Sequence, residues 1–184
     1  PEPPTRKTRV TLLPNWFPEA EFAGYYVALE EGFYSDLNLD VEIRGFSPKY
    51  ETAETLTAGG VDFAILSMPA YARARKSGME LVPLAALFQN DPSLFMVMEE
   101  SDIRGPADFE GKRIPVKNAD WDSIITRAVI NSGGDPGKLH KVRDFGGISD
   151  FYTGRFEVWT GYVQDEPVEA RMAGYDIREI FAFD

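Results

Sequence analysis

The sequence predicts an α/β protein of two lobes, with mostly parallel sheets and helices on both faces. Short apolar runs of strand length alternate with segments of helical periodicity, which is typical of parallel sheets that are covered on both faces. The alternation pauses at Asn90-Asp91-Pro92 and then begins again. We therefore expect residues 1–91 to form lobe 1, the N-terminal lobe, and residues 92–184 to form lobe 2.

The first lobe is predicted to follow the order β-α-β-α-β-α-β. Its helix over 19–33 has apolar residues at positions 22, 26, 29 and 33, the spacing of one helix face. Pro14 ends the first strand, and Gly59-Gly60 end the second helix. The predicted strands are 9–13, 40–46, 61–66 and 81–88, and the predicted helices are 19–33, 50–58 and 69–76.

The second lobe repeats the alternation of strands and helices. Asp120 is placed to cap a helix that begins at Trp121, and Gly133-Gly134 end that helix. The predicted strands are 94–98, 113–116, 141–145, 157–163 and 177–183, and the predicted helices are 121–131, 148–153 and 166–173.

The composition excludes several classes of function. A formal net charge of −11 over 184 residues disfavours nucleic acid and anionic lipid as partners. No apolar run approaches the roughly 20 residues of a membrane-spanning helix, so direct membrane insertion is not expected. The absence of cysteine excludes disulfides and thiolate zinc sites. With one histidine, His140, and no nucleotide-binding or calcium-loop motif, we expect no enzyme, no cofactor and no metal.

A ligand of such a protein is expected on the loops at the carboxyl ends of the strands. In open parallel sheets, ligands bind beyond these ends. The loops are rich in aromatic rings and carboxylates, which suits a small organic ligand. They comprise residues 14–19, 67–68, 88–91, 117–121, 146–147 and 162–166.

Five segments, in chain order, resemble one known family. They read NWFPEAEFAGYYVALEEGFY, LDVEI, GGVDFAILS, GPADFEGKRI and TGYVQDEPVEARMAGYDI. They resemble the substrate-binding proteins of ABC importers for thiamine's pyrimidine precursor and, in some members, for riboflavin. The resemblance implies a type II periplasmic-binding-protein fold, whose two lobes close on a small aromatic ligand. It also implies a membrane permease as partner.

The same resemblance implies a periplasmic or extracellular location. The chain begins at Pro1 with a proline-rich stretch, and lipid anchoring through a removed N-terminal segment stays open. The family normally continues beyond this point to complete the first lobe, so we expect the C-terminal return to lobe 1 to be missing.

Departures from the family pattern leave two alternatives open. Phe22 stands where vitamin-precursor binders often have histidine, and Asp165 replaces the usual asparagine before Glu-Pro. The FAGYY version of the first motif also resembles periplasmic sensor domains of signalling proteins, so a ligand-sensing domain is the main alternative. The family's fungal pyrimidine-synthesising enzymes use histidine and cysteine residues that this chain lacks, which disfavours an enzyme.

The first lobe supplies several candidate ligand contacts. Trp16 is expected to stack on the ligand, with burial in the core as the alternative. Asn15 and Glu19 are candidates for hydrogen bonds to the ligand, although Asn15 also suits a turn and Glu19 a helix N-terminus. Tyr26 shares the predicted core stripe, so Tyr25 is the better ligand candidate.

Three further candidates follow later strands. Ser67 either contacts the ligand or caps the next helix, and capping is the favoured interpretation. Met68 is placed beside it on the same loop. Asn90 lies at the predicted hinge, where it contacts the ligand or only forms a turn.

The second lobe supplies Trp121, Tyr162 and Glu166. Trp121 is interpreted as a partly exposed ring at a helix start, and the adjacent Asp120 and Asp122 argue against an anionic ligand. Tyr162 and Glu166 match the family's Tyr and Asn-Glu-Pro positions, with a simple helix start as the alternative for Glu166. We interpret Trp159 as core, and residues 146–149 as a strand-to-helix turn rather than a phosphate-binding nest.

Overall fold

The computed structural model describes residues 6–183, so the proline-rich stretch at 1–4 lies outside the described residues. The chain divides into two compact units, one up to Leu84 and one from Ala85 onward. The sequence placed the lobe boundary at residue 91. The assignment of 1–91 and 92–184 to ligand-binding lobes stays a prediction.

The first unit is built around a parallel sheet of three strands. The central strand β1 (Thr8–Leu13) lies between β2 (Leu39–Ile43) and β3 (Phe63–Ala64), and both pairings are parallel. This pairing confirms the parallel sheet that the sequence predicted. The helices of this unit are α1 (Ala23–Glu30), α2 (Phe33–Asp36), α3 (Thr52–Thr57) and α4 (Met68–Lys76), and a short 3₁₀ helix spans Ala20–Phe22.

The helix predicted over 19–33 is wrong as a single element. It is divided into the 3₁₀ turn, α1 and α2, and Gly32 adopts the left-handed conformation (φ 77°) between α1 and α2. A left-handed residue interrupts the helical hydrogen-bond pattern, and glycine adopts it without strain. The predicted stripe is only partly buried, since Phe22 is buried whereas Leu29 and Phe33 are exposed.

The strand predicted over 81–88 is also wrong. Leu81 is buried, but Val82 and Leu84 are 81% and 71% exposed, and residues 82–88 form neither a strand nor a helix. Pro83 has no N–H to donate to a strand ladder, so the apolar run cannot pair along its length. The neighbouring predicted strand, 61–66, is reduced to β3.

The second unit has a mixed strand arrangement. Its central strand β4 (Ser93–Met98) lies between β7 (Trp159–Tyr162) and β8 (Ile177–Phe181), and both pairings are antiparallel. A separate parallel pair consists of β5 (Arg113–Pro115) and β6 (His140–Val142). The helices are α5 (Ala119–Asn131), α6 (Ser149–Tyr152) and α7 (Glu166–Met172), with 3₁₀ turns at Pro106–Phe109 and Pro136–Lys138.

The predicted α/β class is confirmed, but the antiparallel pairing of β4 was not predicted. A short apolar run indicates that a strand is buried without specifying the direction of its neighbours. Strand β4 is buried on both faces: Phe95 and Val97 pack into one cluster, and Leu94 and Met96 pack into another. This double burial explains its uninterrupted apolar sequence.

Helix α5 begins two residues earlier than predicted, at Ala119. Asn118, and not Asp120, is the N-cap, since its Oδ1 accepts a hydrogen bond of 3.0 Å from the backbone N–H of Trp121. Asp120 lies in the first turn, where its negative charge interacts favourably with the helix dipole. The cap places the ring of Trp121 in the core at 5% exposure, so the interpretation of Trp121 as partly exposed was wrong.

Candidate ligand-recognition clusters

Three aromatic rings meet beyond the carboxyl ends of β1 and β2. Trp16 and Phe17 follow β1, and Phe46 follows β2. The ring centroids are 5.4 Å apart for Trp16 and Phe46, 5.6 Å for Trp16 and Phe17, and 5.1 Å for Phe17 and Phe46. We call these three residues the Trp16 cluster. Because β1 and β2 are parallel, their carboxyl ends lie at the same edge of the sheet, which is where ligands bind in such sheets.

A carboxylate orients the indole of this cluster. Trp16 Nε1 donates a hydrogen bond of 3.1 Å to Glu19 Oε1. Trp16 and Glu19 are half-buried, and Phe17 is 48% exposed. The cluster therefore combines an oriented indole with accessible aromatic surface, as a binding site for a planar molecule requires.

The remaining candidates of the first unit differ in their surroundings. Asn15 is half-buried directly before the Trp16 cluster. Tyr25 is half-buried on α1, and burial, with a smaller contribution from Tyr34, raises the pKa of its phenol. Tyr25 is therefore a neutral phenol at physiological pH, able to donate as well as accept a hydrogen bond. Their contact with a ligand stays a prediction.

Ser67 caps α4, as the sequence analysis favoured. Its hydroxyl accepts a hydrogen bond of 3.1 Å from the backbone N–H of Ala70. Met68, the first residue of the helix, is 72% exposed. An exposed thioether is available to a ligand, whereas the Ser67 hydroxyl already has a structural role.

Asn90 lies in a shallow depression of the second unit. The depression has a volume of about 350 Å³ and is lined by Asn90, Asp91, Phe181 and Phe183. Asp91 Oδ1 accepts a hydrogen bond of 2.8 Å from the backbone N–H of Ser93, which fixes the turn into β4. Asn90 is exposed and close to two aromatic side chains, so its surroundings suit either of its predicted roles.

The second unit gathers a polar and aromatic cluster around Lys117. Lys117 follows β5, and its ammonium group forms an ion pair with Glu166 Oε1, at the start of α7. The same nitrogen lies 5.7 Å from the ring centroid of Trp121 and 5.8 Å from that of Trp159. Tyr162, the last residue of β7, packs its ring 5.6 Å from Trp121. We call these five residues the Lys117 cluster.

Glu166 is held from both sides within this cluster. Its Oε2 accepts a hydrogen bond of 2.8 Å from the backbone N–H of Tyr162, and its Oε1 is paired with Lys117. The side chains of Lys117 and Glu166 are only 16% and 12% exposed. Glu166 thus links β5, β7 and α7, a role that the sequence did not indicate.

The local charge balance depends on Lys117. Burial raises the pKa of the Asp165 carboxyl, and the nearby Glu166 carboxylate raises it further, whereas Lys117 lowers it. Asp122 is compensated by Lys141 at 2.6 Å and Arg143 at 3.5 Å. The sequence argument from Asp120 and Asp122 was therefore incomplete, because it overlooked the ammonium group of Lys117 in the same loop.

The glycine turn at 146–149 is already occupied by a side chain. The backbone N–H of Gly146 donates a hydrogen bond of 2.7 Å to Asp150 Oδ2, and the same carboxylate oxygen pairs with Arg155 at 2.8 Å. A carboxylate thus lies where a nest would hold an anion. The favoured interpretation, a strand-to-helix turn, agrees with this arrangement.

Four residues of these clusters were not selected as site residues from the sequence: Phe17, Phe46, Lys117 and Trp159, which was assigned to the core. Phe17 lies in a selected loop, and Lys117 directly follows a buried strand, so the loop rule alone had marked both positions. Phe46 meets Trp16 across thirty positions of sequence, and no local pattern shows that contact. The pairing of β1 with β2 brings the two rings together.

Within residues 6–183, the acidic residues and the histidine form no group of three or more that could hold a metal ion. In the same part of the chain, no helix combines the length and the apolar character needed to cross a membrane. The single histidine, His140, is exposed at the start of β6.

Replacing Gly161 by alanine is expected to disturb the Lys117 cluster. A Cβ at this buried position on β7 would lie 2.5 Å from Glu166 Oε2 and 2.7 Å from its carboxyl carbon. The carboxylate would have to move away from the N–H of Tyr162, and overpacking of this kind costs about 1–3 kcal/mol. Urea unfolding measures the loss. Gly105→Ala is the control, because a Cβ there meets nothing within 4 Å, and equal effects of the two substitutions would contradict this view of the cluster.

The fold matches that of periplasmic substrate-binding proteins. The periplasmic aliphatic sulphonate binding protein SsuA from Escherichia coli superposes with a TM-score of 0.69 at 16% sequence identity, over 95% of this chain and 56% of that protein. At this identity the match defines the fold class, a type II periplasmic-binding-protein fold, and not the ligand.

The family follows from a sequence match. The NMT1/THI5-like family model matches residues 19–184, and the chain belongs to this family. The matched region includes Glu19, α1 and the whole Lys117 cluster. Trp16 precedes it by three residues.

Three curated relatives carry different names. They are a 4-amino-5-hydroxymethyl-2-methylpyrimidine phosphate synthase from Legionella pneumophila (26% identity over 89% of this chain), a formylaminopyrimidine-binding protein from Halalkalibacterium halodurans (25% over 91%) and the riboflavin-binding protein RibY from Chloroflexus aurantiacus (26% over 96%). This chain spans about half of each, 52% in all three cases.

Proposed function

We propose that this chain is the solute-binding component of an ABC importer and that it captures a small aromatic molecule, a pyrimidine precursor of thiamine or a riboflavin-like compound. The observation that carries the proposal is the Trp16 cluster. An indole oriented by Glu19 lies beside two further rings at the carboxyl edge of a parallel sheet. This arrangement suits the stacking of a flat heterocycle.

The relatives support the choice of ligand class. Two of the three are named for binding a pyrimidine and a flavin, and both molecules are planar and rich in hydrogen-bonding groups. A binding role without chemistry is part of the proposal, although the Legionella relative is named as a synthase. The chain has no cysteine and one histidine, which leaves few residue types for nucleophilic or metal-assisted catalysis.

A permease partner and a periplasmic or extracellular location belong to the same proposal. The fold shared with periplasmic binding proteins supports both. A solute-binding protein of this fold delivers its ligand by docking on a membrane permease, which requires both proteins to face the same compartment.

Thermal unfolding with candidate ligands tests the proposal. We expect formylaminopyrimidine or riboflavin to raise the unfolding midpoint, because a ligand at 100 times its Kd stabilises the folded state by about 2.7 kcal/mol. Trp16→Ala is expected to weaken binding roughly tenfold or more, since it removes the stacking surface. The shift at a fixed, subsaturating ligand concentration should therefore fall in this variant.

Two controls sharpen this test. Tyr50→Ala removes an aromatic residue of the same unit that is 65% exposed and outside the Trp16 cluster, and it should leave the ligand-induced shift unchanged. An alkylsulfonate should produce no shift. If neither aromatic compound raises the midpoint, or if Trp16→Ala binds as well as the unmodified chain, the proposal is wrong.

A further inference from the structure

Lys117 contacts the carboxylate and the aromatic rings of the second unit that are candidates for ligand contacts. Its ammonium group is paired with Glu166 Oε1 and lies within 6 Å of the ring centroids of Trp121 and Trp159. Glu166 and Trp121 are two of the three contacts that the sequence predicted here. The lysine side chain is therefore already where a ligand's polar group would have to lie.

The amino group of an aromatic ligand could make the same contacts as this ammonium group. A carboxylate accepts a charge-assisted hydrogen bond from an ammonium, amidinium or aminopyrimidine N–H. The faces of tryptophan rings attract cations and other electron-poor groups. Lysine has four flexible side-chain torsions, so it can leave the carboxylate without a change in the backbone.

We propose that Lys117 is a specificity-determining residue, a tethered competitor that an incoming ligand must displace from Glu166. The inference rests on the function proposed above and narrows its ligand class to flat heterocycles that carry an amino or cationic group. Such a ligand replaces the N–H that Glu166 loses when Lys117 moves away.

Other ligand classes do not compensate for this displacement. A ring without a donor leaves the nearly buried Glu166 carboxylate without its cation, which is unfavourable. An anionic group would add its charge to those of Glu166 and Asp165, and the pKa of Asp165 is already raised by burial and by Glu166. Displacing Lys117 from Glu166 therefore costs the least free energy for ligands that carry an amino group.

Calorimetric titration of Lys117→Met tests this inference. The probe is 4-amino-5-hydroxymethyl-2-methylpyrimidine, at pH 7.5 and moderate salt. Methionine retains the length of the side chain and removes its charge, so the probe no longer competes with an ammonium group. We expect the variant to bind about three- to tenfold more tightly than the unmodified chain, because the probe no longer has to displace the ammonium group from a nearly buried ion pair.

Two further variants keep the test decisive. Lys117→Gln leaves Glu166 a neutral N–H partner, so it is expected to fold even if the methionine variant does not, and to bind the probe more tightly as well. Lys141→Met is the matched control, because Lys141 pairs with Asp122 and Thr126 and takes no part in the Lys117 cluster. It should bind like the unmodified chain.

The outcomes separate this inference from the proposed function. If the unmodified chain binds the probe and the Lys117 variants bind it equally well, the competitor role is wrong and the proposed function stands. Weaker binding by both Lys117 variants would mean that the ammonium group contacts the ligand favourably, which also overturns the inference. If neither the unmodified chain nor any variant binds this probe or riboflavin, both proposals fail.

Discussion

Replacing Glu166 by glutamine is expected to lower the free energy of unfolding by about 2–3 kcal/mol, somewhat less than the loss of one partner from a fully buried ion pair. The amide can still accept the hydrogen bond from the N–H of Tyr162. It cannot neutralise the ammonium group of Lys117, which is only 16% exposed. The variant therefore leaves a nearly buried cation without its counter-charge, beside two tryptophan rings.

Chemical denaturation of Glu166→Gln and Glu169→Gln measures this effect against a matched control. Glu169 is on the same helix, α7, and is exposed, so its substitution should change stability by less than about 0.5 kcal/mol. The midpoint should fall at constant m-value in the first variant only. Similar stabilities for the two variants would mean that the pairing of Lys117 with Glu166 contributes little to the fold.

Backbone amides of β4 are expected to exchange with solvent roughly a hundredfold more slowly than those of β1, although each strand is the centre of its sheet. Five of the six residues of β4 are buried, whereas only the last two of β1 are. Most of the described apolar side chains that are buried belong to the second unit. Opening of the first unit thus exposes little apolar surface, and its free energy of opening should be small.

Hydrogen exchange followed by mass spectrometry, with peptides that cover residues 8–13 and 93–98, measures the difference. The same experiment with a bound ligand serves as an internal comparison, because binding at the Trp16 cluster should slow exchange in the first unit. Equal protection of the two strands in the free protein would contradict the assignment of most stability to the second unit.

The sequence predicted the elements whose patterns are local. Strand β4 was predicted because residues 94–98 are all apolar, and α5 because polar residues suited to a helix start precede it and Gly133-Gly134 end it. The strand prediction failed for residues 81–88, an apolar run that does not pair with another strand. Residues 81–88 are apolar enough for a strand, but Pro83 prevents continuous pairing and residues 82–88 stay exposed.

The candidate site divides in the same way. Trp16, Tyr162 and Glu166 were selected because they lie at or just after the ends of predicted strands and in segments that resemble the family. Their partners were not, since Phe46 reaches Trp16 through the pairing of β1 with β2, and Lys117 reaches Glu166 across 49 positions of sequence. Contacts of this kind depend on which strands are neighbours, and periodicity within one segment carries no information about that.

The sequence by itself determined the α/β class, the repeated alternation of strands and helices, the acidic and cysteine-free chemistry, and the family. Composition and hydrophobic period are properties of the chain, and they persist in any fold that buries the apolar positions. Only the tertiary structure decided the antiparallel pairing of β4, the burial of Trp121 and the engagement of Glu166 by Lys117. Each of these depends on atoms distant in sequence being brought within a few ångströms of one another. In such a desolvated interior an unpaired charge is unfavourable, so the residues that can pair with it are decided by the tertiary structure.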